Sequence, residues 1–163
     1  MDLAWLSPLL DTLAASAPAA WLRRSGTAYL VVNASHIAAL GLGVGAALLL
    51  DLRLLGIVGR RIPLALLGPF LSRAAAAGLT LALATGLWLF ATRPVDYLAN
   101  PAFVVKVGVI ALALGNALAL HASGHWGRAL REGQAGGLVR AQAAVSLTLW
   151  LGAVLAGRWI GFL

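Results

Sequence analysis

Residues 27–50 read TAYLVVNASHIAALGLGVGAALLL, twenty-four positions without an Asp, Glu, Lys or Arg. A helix of that length reaches about 36 Å, enough to cross a hydrocarbon core of ~30 Å. Backbone in lipid must satisfy its own hydrogen bonds, so a spanning segment is a helix or a strand of a closed barrel. Barrel strands alternate apolar and polar residues over ~10 positions. This run is instead continuous and built on Ala, Leu, Val and Gly, which marks a helix. Three more runs of the same kind follow at about 73–91, 103–121 and 138–157. The expected fold is all-α: an integral membrane four-helix transmembrane bundle, forming a single membrane domain over residues 1–163.

The rest of the composition agrees with that reading. Of the 163 residues, 61% are hydrophobic and 10% charged, against roughly a quarter charged in a soluble domain. Too few polar side chains exist to cover a water-facing surface, and the hydrophobicity is too high for disorder. There are no cysteines, which excludes disulfides, thiolate metal sites and covalently attached haem. The net charge of +7 comes from basic residues scattered between apolar runs. That is a membrane-orientation pattern, so the expected partner is the lipid bilayer and not nucleic acid. Arg53, Arg60, Arg61, Arg73, Arg128, Arg131 and Arg140 flank the first and third loops, whereas Arg23, Arg24, Arg93, Lys106 and Arg158 lie on the opposite side. The bias of seven to five places those loops in the cytoplasm and both termini in the periplasm of a bacterial inner membrane.

Residues 1–26 do not form a signal peptide, because Asp2, Pro8 and Asp11 interrupt it. Trp5, Leu6, Leu9, Leu10 and Leu13 recur at helical spacing, and Trp21 precedes Arg23 and Arg24. The segment reads as an amphipathic helix in the membrane interface with a Trp-anchored entry into the first span. The first loop, 51–72, is apolar enough to lie along the membrane surface, with Pro63 and Pro69 breaking it. Small residues recur at every fourth position in Gly41–Gly45, in Gly78, Ala82 and Gly86, and in Ala153–Gly157, as close helix packing in lipid requires. Such faces point to a homo-oligomer or a subunit of a membrane complex.

Polar residues inside the apolar runs are the candidate functional groups, because burying them in lipid is costly. His36 lies about 14 Å into the first span, beyond the reach of either surface, so it must face the bundle interior. It reads either as a histidine hydrogen-bonded between helices or as a ligand to haem iron or another metal. Asn33 and Gly43 share its face at 100° per residue. The third run carries Lys106, Asn116 and His121, and His125 follows one turn after His121. Lys106 reads as an interface anchor or as the partner of a ligand carboxylate such as a haem propionate. His121 and His125 read as a solvated cap or as an i, i+4 metal pair. His121 and His36 differ by about 13 Å in depth, which is awkward for two axial ligands on one iron. Thr80, Thr85, Asn116, Ser146 and Trp150 are within two turns of His36 by the same ruler. Asp51 and Arg53 read as a local ion pair fixing the turn after the first span, with proton carriage by Asp51 as the other reading. No paired carboxylates, nucleophile triad or phosphate-cradling glycine loop is present.

The combination of His36, the run DLRLLG over residues 51–56, and Asn100-Pro101-Ala102-Phe103 followed by Lys106, Asn116 and His121 resembles an uncharacterised bacterial family of four-helix membrane proteins. The resemblance runs over nearly the whole chain. More distantly, a histidine in the first helix and a third helix with Lys106 and His121 are similar to HemJ-type haem-binding oxidases and to the CopD copper-resistance membrane domain. Those first helices carry a tryptophan after the histidine, whereas residues 38–43 here read AALGLG. The resemblance therefore implies haem or copper at His36 and does not extend to the oxidase activity. The expected function is a haem b-binding membrane protein with a redox or electron-transfer role. His36 would be an axial ligand and Lys106, Asn33 and Asn116 would lie around the cofactor. The alternatives are a copper-handling protein using His36, His121 and His125, and a cofactor-free structural subunit. Copper(I) would be short of soft ligands, since Met1 is the only methionine.

Overall fold

The structure is a computed structural model and describes residues 6–162; Trp5 of the expected interfacial helix lies outside them. The described chain is all-helical. Two short helices, α1 (Ser7–Ala15) and α2 (Ala17–Arg24), precede α3 (Gly26–Leu54) and α4 (Leu64–Thr92). A six-residue α5 (Pro94–Ala99) leads into α6 (Pro101–Ala122), then α7 (Gly124–Glu132) and α8 (Gly137–Trp159), which ends in a 3-10 turn. Among them α3, α4, α6 and α8 are long and apolar enough to cross a membrane.

Elementary end signals set these boundaries. Ser25 caps α3, its side chain accepting from the Ala28 amide at 3.2 Å. Asn100 caps α6, its Oδ1 accepting from the amides of Ala102 and Phe103 at 3.0 and 3.4 Å. Pro101 supplies the preset φ of a first helical position. The Asn100 amide also donates to the Ile160 carbonyl at 3.3 Å and ties the start of α6 to the end of α8. Gly133 ends α7 at φ 70°, a left-handed conformation that costs glycine nothing.

The spans are longer than their apolar cores. Residues 51–54 continue α3, and α4 begins directly after Pro63. Pro69 therefore lies inside α4 and does not break it. Its missing N–H leaves the carbonyl of Ala65 without a helical partner, and Ala65 is exposed at the helix end, where water can serve it. The expected single N-terminal helix is two, separated at Ser16, whose extended backbone is followed by Pro18.

The α2 segment folds back onto α4. Leu22 is fully buried among Ala28, Val32 and Leu89. Trp21 stacks on Trp88 at 5.9 Å, and Trp88 Nε1 donates to the Pro18 carbonyl at 3.1 Å. Arg23 donates to the Thr92 carbonyl at 3.2 Å, a cation on the negative end of α4. Trp88→Ala removes the stack and the hydrogen bond together. Tryptic cleavage at Arg23 and Arg24 should then speed up by about tenfold while the four spans stay folded, because only buried Ala19 and Leu22 and the Arg23–Thr92 hydrogen bond then hold α2 against the bundle. Unchanged cleavage kinetics would show that these contacts alone retain the segment.

The long helices pack as a bent row in the order α4, α3, α8, α6. The α3 helix is central: half of its apolar window is buried, against 11% for α6. Its closest partner is α4, and the crossing is built on Gly43 and Gly78. A Cβ on Gly43 would lie 2.7 Å from the Leu79 nitrogen, and one on Gly78 would strike the Gly43 backbone. Of the small residues singled out in the sequence, Gly78, Ala82 and Ala153 are buried at helix contacts. A Cβ on Gly41 or Gly45 would meet nothing within 4 Å on another helix. The packing face of α3 is the one that carries His36 and Gly43, which are two turns apart. The remaining core runs through Ala46, Ala47, Leu50, Leu54, Leu71, Ala143 and Trp150.

Candidate functional site

Helices α4 and α6 meet through side chains near both ends. At the end near the N-terminus, Phe90 stacks on Phe103 at 5.5 Å with the rings 5° from parallel, and Tyr97 of α5 packs against both. Tyr97 is half-buried there, and burial beside Tyr29 pushes its phenol above the ordinary value of 10. At the opposite end, Ser72 Oγ and His121 Nε2 are 2.6 Å apart. Phe90 and Ser72 are 18 residues apart, and so are Phe103 and His121. The two antiparallel helices are thus in register, and these contacts frame a seam about 27 Å long.

His36 reaches into this seam from α3. Its Nδ1 is 3.0 Å from Thr85 Oγ1 on α4. The Thr85 hydroxyl has one proton, and it goes to the Leu81 carbonyl at 2.7 Å. With its proton on Leu81 the hydroxyl accepts from the ring, an arrangement that puts the imidazole proton on Nδ1 and the lone pair on Nε2. The ring also hydrogen-bonds the backbone of Ala82 on α4. The Cε1 edge of the ring is turned to Gly86: a Cβ there would stand 3.0 Å from His36 Cε1 and 3.8 Å from Nε2. Thr85 and Gly86 together hold the ring by a hydrogen bond and by the absence of a side chain.

Lys106 faces the same space from α6. Its methylenes and ammonium lie across Gly157 of α8, 3.4–3.5 Å from where a Cβ would be. The ammonium is within electrostatic range of His36. Lys106 is three residues inside the Phe103 stack and Thr85 five residues inside Phe90, so the two stand within about 3 Å of the same depth. No carboxylate pairs with Lys106 among the described residues.

The other singled-out residues lie elsewhere. His121 belongs to the far end of the seam, thirteen residues of α4 from Thr85, or about 20 Å from His36. Both of its ring nitrogens are engaged, Nδ1 with the Ala117 carbonyl at 2.8 Å and Nε2 with Ser72, and Trp126 packs on its face. His125 is not on the same helix, because α6 ends at Ala122 and the chain bends at Ser123. The one-turn spacing therefore does not bring His121 and His125 together as an i, i+4 pair. Asn116 donates to the Gln142 carbonyl at 3.0 Å and ties α6 to α8. Asn33 is exposed on α3 and Thr80 on α4, whereas Trp150 is core. Of the groups expected around His36, the structure brings Thr85 and Lys106 to it, and adds Gly86. Among the described residues no group of three or more His, Asp or Glu side chains gathers to hold a metal ion.

Asp51 and Arg53 do not form the expected ion pair. Both belong to the last turn of α3, and residues two apart on a helix point 200° from each other. Asp51 turns into the bundle, 4% exposed, and its carboxylate meets Ser146 of α8 while Oδ2 has no partner. Arg53 turns outward under the α3–α4 loop. A buried, half-satisfied carboxylate costs stability. Asp51→Asn keeps the shape and removes the charge, so it should raise the thermal midpoint in detergent by a few degrees. A fall of similar size would mean that the charge has a partner.

No protein-family model, no curated protein and no solved structure matches this chain.

Proposed function

We propose that this chain is a haem b-binding membrane protein with an electron-transfer role, with His36 as an axial ligand to the iron. The observation that carries the reading is the 3.0 Å contact between His36 Nδ1 and the Thr85 hydroxyl. A ligating histidine donates its other ring N–H to an acceptor, which orients the ring and raises the basicity of the ligating nitrogen. The Thr85 hydroxyl, which donates to Leu81, is available to accept from Nδ1, and this would leave Nε2 for the iron. Gly86 gives a flat ligand-bearing ring room to stand, and Lys106 offers an unpaired ammonium at the same depth for a propionate. Haem supplies one-electron exchange when bound. The protein's part is to hold one nitrogen, neutralise one carboxylate and keep water out with Phe90, Phe103 and Tyr97.

Copper handling is less well supported, because His36 and His121 are separated by most of the span and His121 is already hydrogen-bonded. A haem needs only one protein nitrogen from this chain. In this reading the end with Arg53, Arg60 and Arg61 faces the cytoplasm of a bacterial inner membrane, as the arginine bias expects. The exposed amide of Asn33, at a depth without water, would be satisfied by a second copy or a partner subunit. The test is the absorption spectrum of protein purified from haem-replete cells. A Soret band at about one haem per chain supports the reading, and colourless, iron-free protein overturns it.

A further inference from the structure

The second built polar site lies at the opposite end of the bundle, between the α3–α4 loop and α7. A cleft of about 430 Å3 is lined there by Arg53, Arg60, Arg61 and Arg131, with Glu132 as the single carboxylate. Arg53 is its floor. This side chain is 8% exposed, and its Nη2 donates to the Ile62 carbonyl at 3.1 Å. Its Nε is buried with no partner. A buried guanidinium N–H without an acceptor is costly, and such groups are normally satisfied.

The loop is shaped around these arginines. Gly56 and Gly59 take φ of 76° and 65°, values that favour glycine. They let the chain curl so closely over Arg53 that a Cβ on Gly59 would stand 3.3 Å from its Cδ. Arg60 Nε donates to the Gly56 carbonyl, which fixes a second guanidinium at the rim. Arg61 and Arg131 are exposed and complete the ring from the loop and from α7. Four guanidinium groups against one carboxylate converge where α3 ends and α4 begins, at the membrane–water boundary of two spans. The guanidinium fork matches the oxygens of carboxylates and phosphates, and four positive charges suit the greater charge of a phosphate. Exposed Ile62, Leu66 and Phe70 descend from the rim along α4, an apolar wall suited to acyl chains.

We propose that this cleft binds a phosphate group, presented by the headgroup of an anionic phospholipid or by a soluble phosphate, with the Arg53 guanidinium as its floor and Arg60, Arg61 and Arg131 as its rim. Basic pockets at the cytoplasmic ends of spans take anionic headgroups by the same chemistry.

The test uses the full-length protein in detergent, titrated separately with phosphatidylglycerol, phosphatidylcholine and inorganic phosphate. Retained ligand is read by native mass spectrometry and stability by the thermal midpoint. Phosphatidylglycerol retained about tenfold more tightly than phosphatidylcholine identifies the lipid source. A midpoint raised by inorganic phosphate alone, without lipid selectivity, identifies a soluble phosphate. Arg53→Gln should lower the retention about tenfold. Because Arg53 is buried and its replacement could perturb folding, the exposed pair Arg61→Gln and Arg131→Gln is tested beside it and should weaken binding to a similar extent. Arg140→Gln, an exposed arginine of α8 outside the cleft, should leave retention unchanged. Equal retention of the two lipids with no phosphate effect overturns the proposal. So does an equal loss in Arg140→Gln, which would reduce the effect to general surface charge.

Discussion

Gly78→Ala should separate α3 from α4 and cost about 3 kcal/mol or more, at the upper end of what overpacking does. The added methyl would land on the backbone nitrogen and Cα of Gly43, and 3.0 Å from the Ala39 carbonyl. A flexible side chain could move aside, but two backbones can yield only by moving apart. Moving apart strips contacts along the most extensive interface of the bundle, and van der Waals packing is what holds helices together in lipid. Gly43→Ala should behave alike, since its Cβ would meet the Leu79 amide at 2.7 Å. Gly41→Ala and Gly45→Ala are the controls. A Cβ at either position would meet nothing within 4 Å on another helix, so each should be neutral or gain up to about 1 kcal/mol of helix propensity. The measurement is the unfolding midpoint of all four variants, by circular dichroism in one detergent. Similar losses at all four positions would show that the crossing lies elsewhere on α3.

His36→Ala should abolish the haem absorbance proposed above, with little loss of helix content, because the side chain is half-buried and makes one side-chain hydrogen bond. Thr85→Val is the sharper experiment. Valine has the shape of threonine without the acceptor for Nδ1–H, so the ring remains but its tautomer and orientation are no longer fixed. Loss of such a supporting hydrogen bond typically costs 10–100-fold in affinity, so Thr85→Val should hold haem weakly and with a shifted Soret maximum. Lys106→Met, which keeps the stem over Gly157 and removes the charge, should weaken retention without moving the Soret position. If Thr85→Val and Lys106→Met both bind as the parent does while His36→Ala does not, the histidine ligates but the geometry around it is not what tunes it. Full absorbance in His36→Ala would remove the haem site from this seam altogether.

Much of the architecture was legible in the sequence because it depends on local properties. Run length against bilayer thickness gives the four spans, and a continuous Ala/Leu/Val/Gly pattern gives helix. Ser25, Asn100 and Pro101 mark starts by chemistry that needs no tertiary partner. The interior placement of His36 also follows locally, from its depth. Boundaries slipped where local rules compete: Pro69 suggests a break, yet the carbonyl it orphans is exposed and the helix continues. The Asp51–Arg53 pairing failed for a geometric reason. A pair two residues apart in a loop can meet, but α3 runs to Leu54, and in a helix the same pair diverges.

The sequence alone determined that this chain has four helices long and apolar enough to cross a membrane, and it singled out the few polar exceptions inside them, His36 foremost. That conclusion needs only composition, periodicity and the cost of polar groups in lipid. The tertiary structure decided which exceptions meet. It placed Thr85 and Gly86 on the ring of His36, brought Lys106 to the same depth and sent His121 to the far end of the seam. It also chose Gly43 over Gly41 and Gly45 as the contact with Gly78, and gathered arginines from a loop and a distant helix into one cleft. The physical reason is rotation and register. Spacing along one helix tells which residues share a face, but which face meets which neighbour, and at what height, is set only when the helices pack.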